Sequence, residues 1–336
     1  MAVSDPHSST PPEVPADSDR AAPAADPADA GWQTVTPEPS LLGESPFWHP
    51  HERLLYWVDI ARRQLVRADP STHQRETWNV PSEPGCIAPV ECGGLAIALR
   101  DGLYRARTWG GALEPLVRFP QHGSTIRFND GKCDTAGRFW AGTVYEPRDQ
   151  RRAVLWCIDM RSGKPEVTLK AQNATTANGV AWSADDRTAW WSDTPAHVIH
   201  AWDYEAGPAV LRRHRVFHRF DPKPAGWTPG LPDNGGYRGR PDGASVDSAG
   251  IYHCAMFEGG RLQRFAADGT PAGEIALPVA CPTMPCFGGE DLRTLFVTTS
   301  REKRPAEELT RTPLAGCTLA RRVEVPGLPV NFFRIG

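Results

Sequence analysis

The amino-acid sequence predicts an all-β fold, specifically a six-bladed β-propeller with four-stranded antiparallel blades. Three observations support this. Gly (31 residues) and Pro (33 residues) are abundant, and turn signals recur throughout the chain. No long stretch shows the periodicity of a helix. A unit of polar turn, apolar strand, Asp/Gly turn and aromatic strand recurs six times, at the spacing of roughly 40 to 50 residues that is typical of propeller blades.

The repeats can be followed in order along the chain. Each of the four clearest copies consists of a first segment and two further strands. These copies are 45–50 with 54–59 and 64–69; 129–134 with 138–143 and 154–159; 178–183 with 188–193 and 198–203; and 242–247 with 250–255 and 261–265. Two weaker copies are 94–99 with 101–104 and 286–289 with 294–298. A Pro- and Gly-rich stretch at about 221–240 has the composition of an inserted loop. A pair of β-sandwiches is the alternative, since sandwiches also have short, evenly spaced strands. The repeated order of events within each copy favours the propeller.

The chain divides into a tail and one large domain. Residues 1–31 are mostly Ala, Pro, Asp and Ser, a composition that buries too little apolar surface to offset chain entropy, so we expect a disordered tail. Residues 32–336 are predicted to form the propeller domain. The start has no basic segment followed by an apolar core, and so does not predict a secretory leader.

Composition also restricts the partners. The net charge is −3 and the basic residues are dispersed, whereas nucleic-acid binding needs a concentrated basic face. No apolar run approaches the ~20 residues of a membrane span. The eight cysteines form no Cys-x-x-Cys pair, which favours reduced thiols and a cytoplasmic location. The sequence does not indicate an oligomeric state.

Four polar residues stand just before, or at the start of, a predicted first strand. Because blades surround one axis, these positions converge on the central channel however far apart they are in sequence. They are Glu44, Asn129, Asn178 and Asp242. Asn-Gly and Asp-Gly pairs are common turn makers when taken singly. Their shared place in the repeat favours a site, and oxygen donors of this kind suit a hard or borderline divalent cation.

Arg127 and Asp130 flank Asn129 and have two interpretations. They could form an ion pair on the surface. Alternatively, Arg127 could point into the channel, where a guanidinium suits polyhydroxy or anionic ligands.

Several of these segments together resemble the gluconolactonase/regucalcin (senescence marker protein) family of six-bladed propellers. The resemblance runs from about residue 44 to about residue 300. The segments that carry it are 42–48, 127–143, 178–183, 240–243, 287–289 and 294–298.

The resemblance implies roles for individual residues. Glu44, Asn178 and Asp242 would hold one divalent cation, and Asp242 would also act as general base. Arg127 and Asn129 would contact substrate hydroxyls. Family members often use a further substrate-binding Glu just after the Ala-Gly-Thr turn, and Glu146, which lies near that position here, would take this role.

The function that follows is metal-dependent hydrolysis of a sugar lactone to its aldonic acid, a step of sugar catabolism. A cation would stabilise the negative charge that grows during attack, and Asp242 would accept a proton from the attacking water. A water activated by the cation alone is the rival source of the nucleophile. Ca²⁺, Zn²⁺, Mn²⁺ or Fe²⁺ would suit the donors. The alternatives are a Ca²⁺-binding regulatory or interaction propeller without turnover, and a metal-dependent esterase or organophosphatase on the same scaffold.

Overall fold

The computed structural model describes residues 31–336, so nearly all of the predicted tail lies outside the described residues. Six four-stranded antiparallel sheets surround a central channel, which confirms the predicted six-bladed β-propeller. The first described strand, β1 (Gln33–Thr34), forms the outer edge of the last blade and is considered with it below.

Blades 1 to 3 follow one another in chain order, each with its innermost strand first. Blade 1 contains β2 (Gly43–His49), β3 (Leu54–Asp59), β4 (Gln64–Ala68) and β5 (Arg75–Asn79). Blade 2 contains β6 (Pro84–Pro89), β7 (Leu95–Leu99), β8 (Gly102–Ala106) and β9 (Glu114–Arg118). Blade 3 contains β10 (Ile126–Cys133), β11 (Phe139–Tyr145), β12 (Ala153–Asp159) and β13 (Glu166–Ala174).

Blades 4 to 6 repeat this order. Blade 4 contains β14 (Ala177–Trp182), β15 (Thr188–Asp193), β16 (Val198–Glu205) and β17 (Val210–Arg219). Blade 5 contains β18 (Arg240–Val246), β19 (Tyr252–Phe257), β20 (Arg261–Phe265) and β21 (Pro271–Ala276). Blade 6 contains β22 (Pro282–Gly288), β23 (Thr294–Thr299), β24 (Leu319–Arg322) and β1, with a short helix α1 (Ala306–Arg311) between β23 and β24.

Blade 2 is where the strand assignment made from the sequence was wrong. The sequence predicts that segment 94–99 begins a blade, but this segment forms the second strand, β7. The innermost strand β6, with the sequence Pro-Gly-Cys-Ile-Ala-Pro, was missed because Pro and Gly resemble a loop in sequence. The predicted inserted loop at about 221–240 contains no strand before Arg240.

The hydrophobic core is divided into six clusters, and each cluster lies between two consecutive blades. Phe47 and Val58 of blade 1, for example, pack with Ile87 and Ile97 of blade 2. The cluster of Trp48 and Trp57 with Phe296 joins blade 1 back to blade 6. Burying these faces removes large aromatic and aliphatic surfaces from water, which is the main force holding the ring closed.

Both ends of the described chain close the ring. At one end β1 pairs with β24, so that blade 6 combines strands from the two termini. At the other end residues 327–336, here called the C-terminal strap, cross one end of the channel. The strap forms bridges at Asp247 of blade 5, Val90 of blade 2 and Met160 of blade 3. No helix among residues 31–336 is long and apolar enough to cross a membrane.

Candidate active site in the central channel

A β-bulge interrupts every innermost strand near its start. In β2, for instance, Glu44 pairs with Val58 and Phe47 with Tyr56, so that β2 carries one extra residue. The other five innermost strands shift by one residue at the equivalent place. A bulge bends the strand and breaks the strict alternation of side chains. The bulges therefore set which side chains enter the channel.

The predicted site residues lie at these bulges, though not all in the same register. Glu44 and Asn178 are the last paired residues before the bulge of their strands. Asn129 and Asp242 lie one position further on, inside the bulge. All four side chains are buried, with Glu44 and Asp242 each 5% exposed.

Two buried aspartates accept hydrogen bonds from the chain segments that lead into β2 and β14. Asp59, at the end of β3, accepts hydrogen bonds from the N–H groups of Leu41 (2.8 Å) and Leu42 (3.1 Å), just before β2. Asp193, at the end of β15, accepts from Thr175 (3.1 Å) and Thr176 (3.3 Å), just before β14. The same pattern of hydrogen bonds to an aspartate thus fixes the segments that lead to Glu44 and to Asn178.

A chain of hydrogen bonds joins blades 3 and 4 at the channel. Arg127 Nη1 donates to Asn129 Oδ1 (2.9 Å), and Asn129 Nδ2 donates to Asn178 Oδ1 (2.7 Å). Asn178 Nδ2 in turn donates to Thr194 Oγ1 (2.8 Å). This orientation leaves the second lone pair of Asn178 Oδ1 as an acceptor toward a cation.

The close approach of blade 4 to blade 5 beside Asp242 depends on a glycine. Gly179 has φ +62°, and a Cβ there would lie 2.9 Å from the carbonyl oxygen of Asp242 and 2.7 Å from Tyr252 Oη. Any side chain at this position would therefore push the bulge of blade 4 away from that of blade 5.

Asp130 is a third buried carboxyl group that the sequence did not assign to the site. It is 3% exposed, and its Oδ2 accepts from the N–H of Val180 (3.2 Å). Its pKa is raised by burial, and its charge in turn raises the pKa of Glu44 and of Asp242. The interpretation of Arg127 and Asp130 as a surface ion pair is thus wrong, because both side chains are buried.

The electrostatics of the three carboxyl groups fit a divalent cation. Burial raises the pKa of Asp242 to about 8, helped by repulsion from Asp130 and opposed by Arg240 and Arg148. Burial, Asp242 and Asp130 raise the pKa of Glu44 well above its usual range. Within residues 31–336, Glu44 Oε2 and Asp130 Oδ1 are buried without a hydrogen-bond partner. A cation beside them would offset the repulsion and satisfy these oxygens.

The predicted donor set includes an amide oxygen, that of Asn178. In the described part of the chain no three His, Cys, Asp or Glu side chains form a cluster able to hold a metal ion by themselves. In the predicted set, Asn178 would add a neutral oxygen donor to the carboxylates of Glu44 and Asp242.

Glu146 lies at the mouth of the channel and is 37% exposed. Its Oε2 is 2.8 Å from Arg100 Nη1, and its Oε1 is 3.5 Å from Arg127 Nε. In this position Glu146 orients the guanidinium of Arg127 toward the channel.

Arg148 lies next to this pair, on the exposed turn after β11, and within residues 31–336 its side chain makes no ion pair. Its charge lowers the pKa of Asp242 and of Arg127. Arg148 is thus a free cation at the mouth of the site.

Comparison with known proteins finds similar sequences and structures. A model of the family described as SMP-30/Gluconolactonase/LRE-like region matches residues 42–301. A 6-deoxy-6-sulfogluconolactonase of Pseudomonas putida is 43% identical over 301 residues, covering 89% of this chain and 97% of the relative. A pentonolactonase of Haloferax volcanii is 35% identical over 263 residues, covering 77% of this chain and 81% of the relative. The crystal structure of a calcium-binding protein, regucalcin, from Agrobacterium tumefaciens aligns with TM-score 0.81 and 24% identity, covering 91% of this chain and 98% of that one.

Proposed function

Because this chain belongs to the SMP-30/gluconolactonase/LRE-like family, we propose that it is a metal-dependent hydrolase that opens a sugar lactone to the aldonic acid. The observation that supports the proposal most is that Glu44, Asn178 and Asp242 lie buried at or beside the bulges of three different innermost strands. Asn129, which accepts from Arg127, is hydrogen-bonded to Asn178. The lactonase names of the relatives from Pseudomonas putida and Haloferax volcanii support the substrate class. A cytoplasmic location belongs to the same proposal and is supported by eight free thiols, seven of them buried.

Glu44, Asn178 and Asp242 would hold one divalent cation. When bound, the cation would supply positive charge that polarises the ring carbonyl of the lactone and stabilises the developing oxyanion. The proposal covers Ca²⁺, Zn²⁺, Mn²⁺ and Fe²⁺, since oxygen donors of this kind accept each of them.

Asp242 is the proton acceptor in this proposal. With a cation nearby, its pKa falls below the value of about 8 that it has in the protein alone, so the carboxylate is ionised at neutral pH. Its burial in the channel keeps bulk water away from the carboxylate. An ionised Asp242 then accepts a proton from the water that attacks the lactone.

Arg127 and Asn129 would orient the sugar ring. The hydrogen bonds of Arg127 to Phe128 O and Asn129 Oδ1 use Nη1, which leaves Nη2 for a substrate hydroxyl. Glu146 supports this orientation from the other side of the guanidinium. Such positioning lowers the entropic part of the barrier.

The central test is lactone hydrolysis followed by acid release at constant pH. We expect hydrolysis of aldonolactones that stops on chelation and returns with one of the four cations. Asp242→Asn should lower kcat by about 10²- to 10⁴-fold, the range of a general base. Asp268→Asn is the matched control, because Asp268-Gly269 is the same dipeptide in an exposed turn far from the channel. Full activity of Asp242→Asn, or hydrolysis that chelation leaves unchanged, would refute the proposal.

The same assay decides between enzyme and binding protein. The Agrobacterium regucalcin is described as calcium-binding, which favours a Ca²⁺ propeller without turnover as the second candidate. Calorimetric binding of Ca²⁺ to Glu44 and Asp242, with no hydrolysis of any lactone, ester or organophosphate, would support that candidate instead.

The charge of Arg148 leads to a prediction about substrate choice. The name of the Pseudomonas relative makes 6-deoxy-6-sulfogluconolactone the anionic lactone to compare with neutral gluconolactone. We expect Arg148→Ala to raise KM for the anionic lactone by about tenfold, the order of one charge-assisted contact, and to leave the neutral one little changed. Arg152→Ala is the control, because Arg152 stacks on the ring of Tyr145. Equal effects of Arg148→Ala on both lactones would exclude a role in selecting charge.

A further inference from the structure

A cavity lies in the central channel, beyond the bulges that carry the proposed cation donors. It has a volume of about 220 Å³ and is lined by all six innermost strands and by residues 328–331 of the C-terminal strap. Its lining begins one residue after Glu44, with Ser45, and three residues after Asp242, with Ser245. At about 3.3 Å per strand residue, this is roughly 3 to 10 Å further along the channel. We call this space the strap cavity.

The walls of the strap cavity are mainly apolar and aromatic. Phe47, Trp48, Trp182 and Phe287 line it, and each is at most 8% exposed. Aromatic walls of this kind bind flat or branched apolar groups.

The strap is fixed firmly over this end of the channel. The N–H of Leu328 donates to Val246 O (3.3 Å), Asn331 Nδ2 to Cys133 O (3.1 Å) and the N–H of Phe333 to Pro89 O (2.8 Å). These bonds tie the strap to blades 5, 3 and 2 in turn. The cavity is therefore a built part of the fold.

Two hydrogen-bond donors, from adjoining parts of the wall, line this apolar space. Lys132 Nζ donates to the carbonyl of Ala244, which places the ammonium group beside the next residue, Ser245. Ser245 is 8% exposed, and within residues 31–336 its Oγ has no hydrogen-bond partner. Both side chains line the cavity. An ammonium and an unpaired hydroxyl together favour an anionic acceptor.

We propose that the strap cavity binds a small carboxylate with an apolar body, such as a monocyclic aromatic or branched aliphatic acid. The carboxylate accepts hydrogen bonds from Lys132 and Ser245, and the apolar body packs against the aromatic walls. The size agrees, because an apolar cavity of about 150 Å³ already holds benzene. The proposal does not depend on the lactonase activity, since the cation donors lie outside this cavity.

The test uses the full chain, with benzoate as probe and benzyl alcohol as its neutral counterpart. Trp48 and Trp182 line the cavity, so tryptophan fluorescence reports binding and calorimetry gives the affinity. We expect saturable binding of benzoate, with benzyl alcohol at least about tenfold weaker because it lacks the charge-assisted bond. Equal affinity for the two, or no saturable binding of benzoate, would overturn the proposal.

Two variants locate the bound benzoate. Ser245→Ala removes a hydroxyl that has no partner, so we expect a Tm close to that of the wild type and benzoate binding weakened about fivefold. Val330→Trp fills the cavity from the strap and should abolish binding. Val325→Trp, at a position 40% exposed and outside the cavity, is its control.

Asp242→Asn separates the two ends of the channel. Benzoate should bind this variant as it binds the wild type, because Asp242 does not line the strap cavity. Loss of binding in Asp242→Asn, or equal binding by Val330→Trp and Val325→Trp, would assign benzoate to another site and overturn the proposal.

Discussion

At the scale of single residues, the channel concentrates three carboxyl groups that oppose one another. Burial raises the pKa values of Glu44, Asp130 and Asp242, and repulsion from Asp130 adds to the increase for Glu44 and Asp242. Each group is therefore easier to keep protonated in the folded protein than in the unfolded chain. Protons on these carboxyl groups and a cation bound beside them both reduce the repulsion between the negative charges, so protons and cation compete.

This competition predicts how pH affects the stability of the protein without a cation. Between about pH 4 and pH 8 Asp242 holds its proton more tightly in the folded state than in the unfolded chain, so its contribution to stability falls as pH rises. The Tm of the chelated wild type relative to that of chelated Asp242→Asn should therefore decrease from pH 5 to pH 8. The increase of Tm on adding a divalent cation should be larger at pH 8 than at pH 5, as differential scanning fluorimetry would measure. A cation effect that is equal at both pH values would contradict this account.

Sequence reasoning could name some of these residues and not others. Glu44, Asn178 and Asp242 stand before recognisable strands, so the repeat pointed to them, and their roles remain predictions. Asp130 follows Asn129 directly, and strand alternation would place neighbouring side chains on opposite faces. The bulge of β10 breaks that alternation and buries both side chains at the channel. No sequence signal locates a bulge to the residue.

At the scale of elements, the bulges of the innermost strands are the parts that shape the site. The positive φ of Ser45 (+50°) and of Gly179 (+62°) occurs at the residue after the last paired one in β2 and β14. Ser45 does not belong to an Asn-Gly or Asp-Gly pair, whereas Gly179 follows Asn178. The same backbone conformation therefore arises from two different residue types. The repeat period of the strands could be predicted from the sequence. The position of β6 could not, because its Pro and Gly residues resemble those of a loop although the strand is buried.

Gly179→Ala tests the bulge of β14. A Cβ here would lie 2.6 Å from Ser192 Oγ and 2.9 Å from Asp242 O, at a φ of +62°. We expect a loss of about 1–3 kcal/mol in the free energy of unfolding and a weaker cation affinity, measured by denaturant titration and calorimetry.

Gly207→Ala provides the matched control for that variant. Its Cβ would meet nothing within 4 Å, and its φ is not in the positive range. We expect wild-type stability and cation affinity. Wild-type cation affinity in Gly179→Ala as well would show that the bulge does not govern the donor geometry.

At the scale of the whole molecule, the propeller is a ring held by six interfaces between consecutive blades. The interface between blades 6 and 1 contains Val35, which follows β1 directly, and the Val35 N–H donates to Thr318 O (2.8 Å). Thr283 Oγ1 of blade 6 also donates to the carbonyl of Gly43 in blade 1 (2.6 Å). The loss of any one interface opens the ring.

Removal of β1 tests this closure. A chain that lacks residues 1–36 loses β1 and Val35, and we expect its Tm to fall by several degrees, because about 2–3 kcal/mol of apolar burial and pairing is lost. A chain that lacks only residues 1–30 keeps β1 and should melt like the full chain. Equal melting of the two truncated chains would contradict a closing role for β1.

The pairing of β1 with β24 also dictates when a newly made molecule can become complete. The ribosome synthesises β1 before every blade, yet its partner emerges only after β23 and α1. About 290 residues separate β1 from β24, so at 5–20 residues per second the leading strand waits for about 15 to 60 seconds with an unpaired edge. During that interval the nascent ring is an open arc, and this is when chaperones, or a neighbouring nascent chain, would find it most accessible.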